Sequence, residues 1–240
     1  GTRSPLRDQL ARVRTNRPYP YGAVWGVVTE PQGFAHPHHL LQRYDGARIM
    51  IGLLPIGRRP GEDRALTALF WSLPAAADPA WRAAQFARWQ EQVAMLWPDA
   101  APFVTQFTSH DDLTFASYAD ILVASPYGER IVFIGDAARS ASPQLGQGAN
   151  LALIDAMILA DHLKRAASVG DALAGYAAAR KDQTRFYAHA SRLLTPFFQS
   201  NSRVAGAVRD LTFWPMAHVP YIEREMVRML SGMKTGLFSH

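Results

Sequence analysis

Ile131-Val132-Phe133-Ile134-Gly135-Asp136-Ala137-Ala138-Arg139-Ser140-Ala141-Ser142-Pro143-Gln144-Leu145-Gly146-Gln147-Gly148-Ala149-Asn150 is the stretch that decides the fold. Residues 131–134 are a short unbroken apolar run, rich in β-branched side chains and closed by glycine, which predicts a strand buried on both faces. Residues 149–163 are almost all Ala, Leu, Ile and Met, interrupted by Asn150, Asp155, Asp161 and His162, which predicts a helix with protein on both sides. Between strand and helix, Gly146 and Gly148 strip side chains from the turn. An electron-rich group can then sit against bare amides at the positive end of the helix dipole.

Asp136 falls at the carboxyl end of the predicted strand, where open α/β sheets place ligand-contacting residues. Its carboxylate can accept a hydrogen bond from a ribose or ribityl hydroxyl, or simply cap a helix. Singly, these glycines and aspartates are ordinary loop residues. Their order and spacing together point to half of a dinucleotide site.

The segment resembles the class A flavoprotein monooxygenases of the para-hydroxybenzoate hydroxylase type. That family carries Gly-Asp-Ala-Ala-His followed by Pro-x-x-Gly-x-Gly-x-Asn, matched here by Gly135, Asp136, Ala137, Ala138, Pro143, Gly146, Gly148 and Asn150. Arg139 stands where the family usually has histidine, and keeps a cation that could lie beside phosphate groups. Gly1-Thr2-Arg3-Ser4-Pro5-Leu6-Arg7 resembles the family's second motif, Asp-Gly-x-x-Ser-x-x-Arg, without its aspartate. No Gly-x-Gly-x-x-Gly occurs, so the βαβ unit that holds the ADP half of FAD in that family has no counterpart in these residues. The chain is therefore expected to be the C-terminal portion of a flavoenzyme.

The resemblance implies an α/β protein that is α+β over this stretch. An antiparallel or mixed substrate-domain sheet with helices would be followed by the C-terminal part of an FAD-binding domain and a helical tail. The expected division is 1–17 for the end of the second motif, 18–118 for the substrate-domain sheet and helix, 119–168 for the Gly-Asp motif and its helix, and 169–240 for the helical tail. It further implies that NADPH or NADH reduces FAD and that oxygen then hydroxylates an aromatic or similar electron-rich small molecule through a flavin C4a-hydroperoxide. Gly148, Ala149 and Asn150 would aim amides at the flavin, Pro143 would lie beside its reactive edge, Asp136 would hold hydroxyls, and Arg7 would organise the surroundings. Two alternatives stand beside this: a non-catalytic or split-enzyme subunit completed by a partner with the Gly-x-Gly-x-x-Gly half, and an FAD-dependent reductase of the isoprenoid type.

Composition narrows the remaining classes. With 48% hydrophobic residues, six tryptophans and twelve phenylalanines in 240 residues, the chain can bury a sizeable core. The absence of cysteine excludes disulfides, thiolate metal sites and cysteine nucleophiles, and is compatible with a cytoplasmic setting. No charge-free run approaches the roughly 18 apolar residues that span a bilayer. The net charge of +5 is spread without the aromatic interleaving of a nucleic-acid surface, so nucleic acid is not an expected partner. Anionic small molecules suit it better.

Along the chain, Ala23-Val24-Trp25-Gly26-Val27-Val28-Thr29 and residues 40–44, 48–56 and 66–73 read as strands of one sheet, and residues 113–118 could form another strand that returns toward the Gly-Asp motif. Trp25, Leu53, Pro55, Phe70 and Trp71 could line an aromatic-accepting pocket, though core packing is the commoner role for such a pattern. Asp78 is expected to cap a helix that carries Trp81, Phe86, Trp89, Val93 and Leu96 as one stripe. A long helix should start at Asp171 and end or kink at Pro196. A last helix gathers Ile222, Met226, Met229, Leu230 and Met233 on one face, for packing on the flavin domain or, failing that, for a dimer or peripheral membrane contact. His36, His38 and His39 look like a surface loop, and Asp111-Asp112 like a turn, so neither metal nor acid/base chemistry is expected there. No Gly-x-Ser-x-Gly elbow supports a serine hydrolase.

Overall fold

The computed structural model describes residues 1–34, 36 and 38–236. In chain order it contains α1 (Pro5–Leu10), β1 (Val13–Thr29), β2 (Leu41–Asp45), β3 (Ile49–Gly57), β4 (Leu66–Pro74), α2 (Asp78–Ala83), α3 (Phe86–Leu96), α4 (Ala101–Val104), β5 (Thr114–Val123), β6 (Arg139–Ser140), α5 (Gly148–Arg165), α6 (Val169–Phe198), α7 (Arg203–Ala217) and α8 (Pro220–Leu230). The strands hydrogen-bond in the order β2-β3-β4-β1-β5-β6. The chain divides into two compact units, one of Gly1–Tyr19, Tyr118–Thr195 and the residues from Asp210 onward, the other of Pro20–Ser117 and Pro196–Arg209. β1 and β5 each contribute to both.

The unit built on Pro20–Ser117 is held by a sheet with one greasy face. Alternation along β4 puts Thr67, Leu69, Trp71 and Leu73 on that face, each 5% exposed or less. They pack with Val24, Ile51 and Leu53 against Trp89 and Val93 of α3 and Phe103 and Val104 of α4. Leu53 and Trp71 therefore belong to the core. The opposite face carries Trp25, Val27 and Leu54 partly exposed, and Phe70 lies so close over Gly52 that a Cβ there would fall 2.0 Å from the ring. One end of this face is covered, since Tyr21 is buried and donates to Asn201 at 2.7 Å.

Two expectations need correction in this unit. The stripe from Trp81 to Leu96 is split between two helices, with Ala84 and Gln85 extended between them. The break brings both Trp81 and Phe86 onto the His110 ring, at centroid distances of 4.4 and 4.9 Å, which five residues of continuous helix would place on different faces. Asp78 opens α2 rather than capping it, and pairs instead with Arg82 one turn on. Asp112 is the turn residue expected, accepting from the backbone of Thr108 and Ser109. Those two amides, the larger first, hold its carboxyl below the usual range. Pro37 of the histidine loop lies outside the described residues, and among the described residues no cluster of His, Asp and Glu could hold a metal.

In the other unit, residues 131–134 form no strand of the sheet. Val132 makes an isolated bridge with Tyr127, and Phe133 donates to the Pro126 carbonyl at 2.6 Å, so the run is the return arm of a tight hairpin. A strand buried on both faces needs a ladder on each side. Among the described residues Ile134 has none and is 36% exposed. The helix after it forms as expected but is not enclosed: Leu151 and Asp155 are buried, whereas Leu153 and Met157 are 66% and 71% exposed. Its apolar composition exceeds the cover available.

α6 and α7 each contribute to both units, and α8 belongs to this one. α6 begins with a reciprocal cap in which Ser168 donates to Asp171 and the Asp171 amide donates back, and it continues two residues beyond Pro196. α7 has no counterpart in the sequence reading. α8 packs Met229 into the cluster formed by Leu145, Leu151 and Tyr187, while its Val227 and Leu230 stay exposed. No described helix is long and apolar enough to cross a membrane.

Candidate functional site

The Gly-Asp motif and the start of α5 are brought together by one buried carboxylate. Asp155, one of the few polar breaks in α5, is 2% exposed and accepts the Gly135 amide at 2.8 Å. Gly135 has φ +54, and a Cβ on it would sit 3.0 Å from the Ala152 Cβ, so both the turn and the approach to α5 favour glycine. The turn of Gly135–Ala137 leaves Asp136 exposed, at the end of a loop rather than of a strand. It does not cap α5, whose N-cap position is Gln147.

The entry into α5 is open. Pro143–Leu145 make one tight turn, ended by Gly146 in the left-handed region at φ +62. No side chain caps α5, and nothing lies within 4 Å of where a Cβ on Gly146 or Gly148 would be. Pro143, Gly146, Gly148 and Ala149 are exposed, and Asn150 is half-buried. The first helical amides are thus left for a partner that carries negative charge. An FAD pyrimidine edge meets that description, so the residues present fit the cofactor.

The two arginines of interest face inward. Arg7 is 2% exposed and donates to the Thr2 carbonyl at 2.9 Å, and Thr2 meets the Ser140 hydroxyl at 3.4 Å. The Gly1–Arg7 segment is thereby tied to the Gly-Asp segment. Arg139 is 8% exposed, lies 3.5 Å from Asp155 and donates to Thr184 at 3.2 Å. Burial lowers its pKa, and Asp155 opposes that.

Several residues at this site were not singled out from the sequence. Arg180 donates to Asp155 at 2.6 Å from within the long helix, and Tyr176 one turn earlier has its phenol pushed up, first by burial and then by Asp155. Ser142, next to Pro143, meets Thr195 at 2.5 Å, and Thr195 donates onward to the Ser191 carbonyl at 2.6 Å, which fixes the direction of the chain of hydroxyls. The end of α8 and the turn after it are clamped to the start of α5 and to α6: Gln147 donates to the Leu230 carbonyl and Asn150 to that of Ser231, while Gln183 and Tyr187 of α6 donate to those of Gly232 and Met229. The available signals were an acid midway along an apolar helix and polar residues at helical spacing on its neighbour. Neither names its partner.

A glycine-bearing, uncapped helix start beside a Gly-Asp turn defines a flavin-binding protein. The chain belongs to the FAD binding domain family, whose description matches residues 1–188. A flavin-dependent monooxygenase from an unknown prokaryotic organism is 39% identical over 93 residues, which are 39% of this chain and 21% of that protein. Among solved structures, Pseudomonas aeruginosa PqsL in complex with 2-aminobenzoylacetate aligns with TM-score 0.70 and 23% identity over 86% of this chain and 56% of its own. Klebsiella pneumoniae HpxO complexed with FAD and uric acid aligns with TM-score 0.72 and 18% identity over 100% of this chain and 59% of its own. The fold is that of the FAD-dependent monooxygenases, and the chain spans about a fifth of the curated relative and under two thirds of either solved neighbour.

Proposed function

We propose that this chain is the flavin-facing part of an FAD-dependent monooxygenase that uses NADPH or NADH and oxygen to hydroxylate an aromatic or similar electron-rich small molecule. The observation that carries the reading is the uncapped first turn of α5, set against the Gly135–Ala137 turn by Asp155. Bound FAD would supply the redox chemistry, taking electrons from the nicotinamide and passing them to oxygen. The amides of Gly148, Ala149 and Asn150 would face the electron-rich edge of the ring and stabilise negative charge on it. Asp136, exposed on its loop, would accept from sugar-chain hydroxyls, and Pro143 would limit water beside the ring. Arg7 and Arg139 act at one remove in this reading, by fixing the strand ends and the loop. The partly exposed Trp25 and Leu54, with Phe70, give the sheet unit an apolar face suited to an aromatic molecule. HpxO with uric acid and PqsL with 2-aminobenzoylacetate support a small-molecule substrate.

Titration of the 240-residue chain with FAD, read by flavin fluorescence, tests the site. Gly148→Glu places a carboxylate among the donor amides and should weaken binding at least about tenfold, or roughly 1.4 kcal/mol. Equal binding by the two proteins overturns the assignment. Turnover under oxygen-18 gas separates hydroxylase from reductase, because a reductase incorporates no label.

The exposed Leu153 and Met157 favour one addition: the chain works against a companion surface, whether a segment carrying the Gly-x-Gly-x-x-Gly half or a second subunit. Light scattering of the purified chain would show self-association if a second copy is the companion.

A further inference from the structure

We infer that the unit holding the Gly-Asp motif also binds a small oxyanion of the phosphate class, in a cavity where two buried guanidinium groups share a single carboxylate. The cavity, of about 370 Å³, lies between the end of β5 and the face of α6, and Arg139, Asp155 and Arg180 line it. None of Gly135, Asp136, Pro143, Gly146 and Gly148 does. The inference therefore stands apart from the flavin assignment.

The charge balance carries the argument. Arg139 and Arg180 are 8% and 4% exposed, and Asp155 is the one acid among the lining residues, already accepting from Arg180, from Gly135 and, more loosely, from Arg139. Among the buried lining groups one positive charge is left over, because the other carboxylate that acts on Arg139, Asp136, is exposed on its loop outside the cavity. Burying a charge without a partner is unfavourable, and a guanidinium relieves that through its planar fork of donors. Arg180 has such a donor unspent: its Nη2 is buried and has no hydrogen-bond partner among the described residues.

The surroundings select an anion of more than one charge. Arg14 from β1 and Lys181 and Arg185 from α6 line the same cavity and are exposed, so the positive field extends from floor to rim. A phosphate offers several oxygens to such donors, whereas a simple carboxylate offers two. Because Asp155 also holds the Gly135 amide, an occupant would brace the Gly-Asp turn from its inner side.

Calorimetric titration of the 240-residue chain with inorganic phosphate, against sodium chloride at equal ionic strength, tests this. Saturable one-site binding is expected. Arg180→Lys keeps a cation for Asp155 but removes Nη2, and should weaken binding at least about tenfold. If that variant does not fold, the exposed pair Lys181→Ala with Arg185→Ala gives the same reading, with a loss of at least about threefold at low salt. Binding of adenosine monophosphate at least about tenfold tighter than phosphate would assign the oxyanion to a nucleotide, and the reverse order to free phosphate. Heat no greater than that of chloride, or equal binding by wild type and variants, overturns the proposal. So does competitive displacement of phosphate by FAD, which would make the cavity part of the cofactor site; additive binding supports two sites.

Discussion

α3 and α5 are apolar helices, one in each unit, and they meet opposite fates. α3 turns Trp89 and Val93 fully into the sheet core, where Trp89 meets Trp71 edge to face at 6.3 Å. α5 buries Leu151 and Asp155 but leaves Leu153 and Met157 more than half exposed. In α3 the spacing of the apolar residues matches the surface that receives them. In α5 the apolar residues run all round, and Asp155, an acid, is one of only two side chains of the helix that are fully buried. Hydrophobic content thus measures a demand for cover, and only a matching surface shows where that demand is met.

The comparison can be broken most forcefully at Trp89. Trp89→Ala should lower stability by about 3–5 kcal/mol in urea unfolding monitored by tryptophan fluorescence, since the transfer loss and the cavity add. A loss below about 1 kcal/mol would mean that the α3 stripe is not what holds the sheet unit. Gly135→Ala sharpens the other side. Its positive φ and the 3.0 Å approach to Ala152 predict a loss of about 1–3 kcal/mol together with weaker FAD binding, and stability unchanged would remove the close approach from the account. The smallest effect belongs to Leu153→Gln, which should leave the isolated chain within about 0.5 kcal/mol of wild type in the same unfolding assay. A large loss there would show that the outer face of α5 is already covered.

Legibility followed the same divide. The strands β2, β3 and β4 stand close to where alternation and turn residues placed them, because each has one face in the core and one outside. Residues 131–134 misled because a short apolar run is ambiguous: the same four residues serve a central strand or a hairpin arm, and only the neighbour decides. α7 left no trace in the reading, with Gly206 against the Ala47 backbone and Trp214 exposed instead of a continuous stripe. The residues proposed to face the flavin were marked by a resemblance carried on glycines and an aspartate. The inward grip of Arg139 was not, because pairing with Asp155 and Thr184 depends on which helices lie beside it. Charge in a sequence has no direction until the fold supplies one.

The turn after α8 gives the two ends of this site a shared fate. Gln147 and Asn150, at the mouth of α5, hold carbonyls more than eighty residues further along the chain. An edit at Leu230, Ser231 or Gly232, or a fusion that pulls on them, is therefore an edit of the proposed flavin site, and would release two amide side chains into the space the cofactor is proposed to fill. For anyone engineering this protein, the tail is the wrong place for a handle.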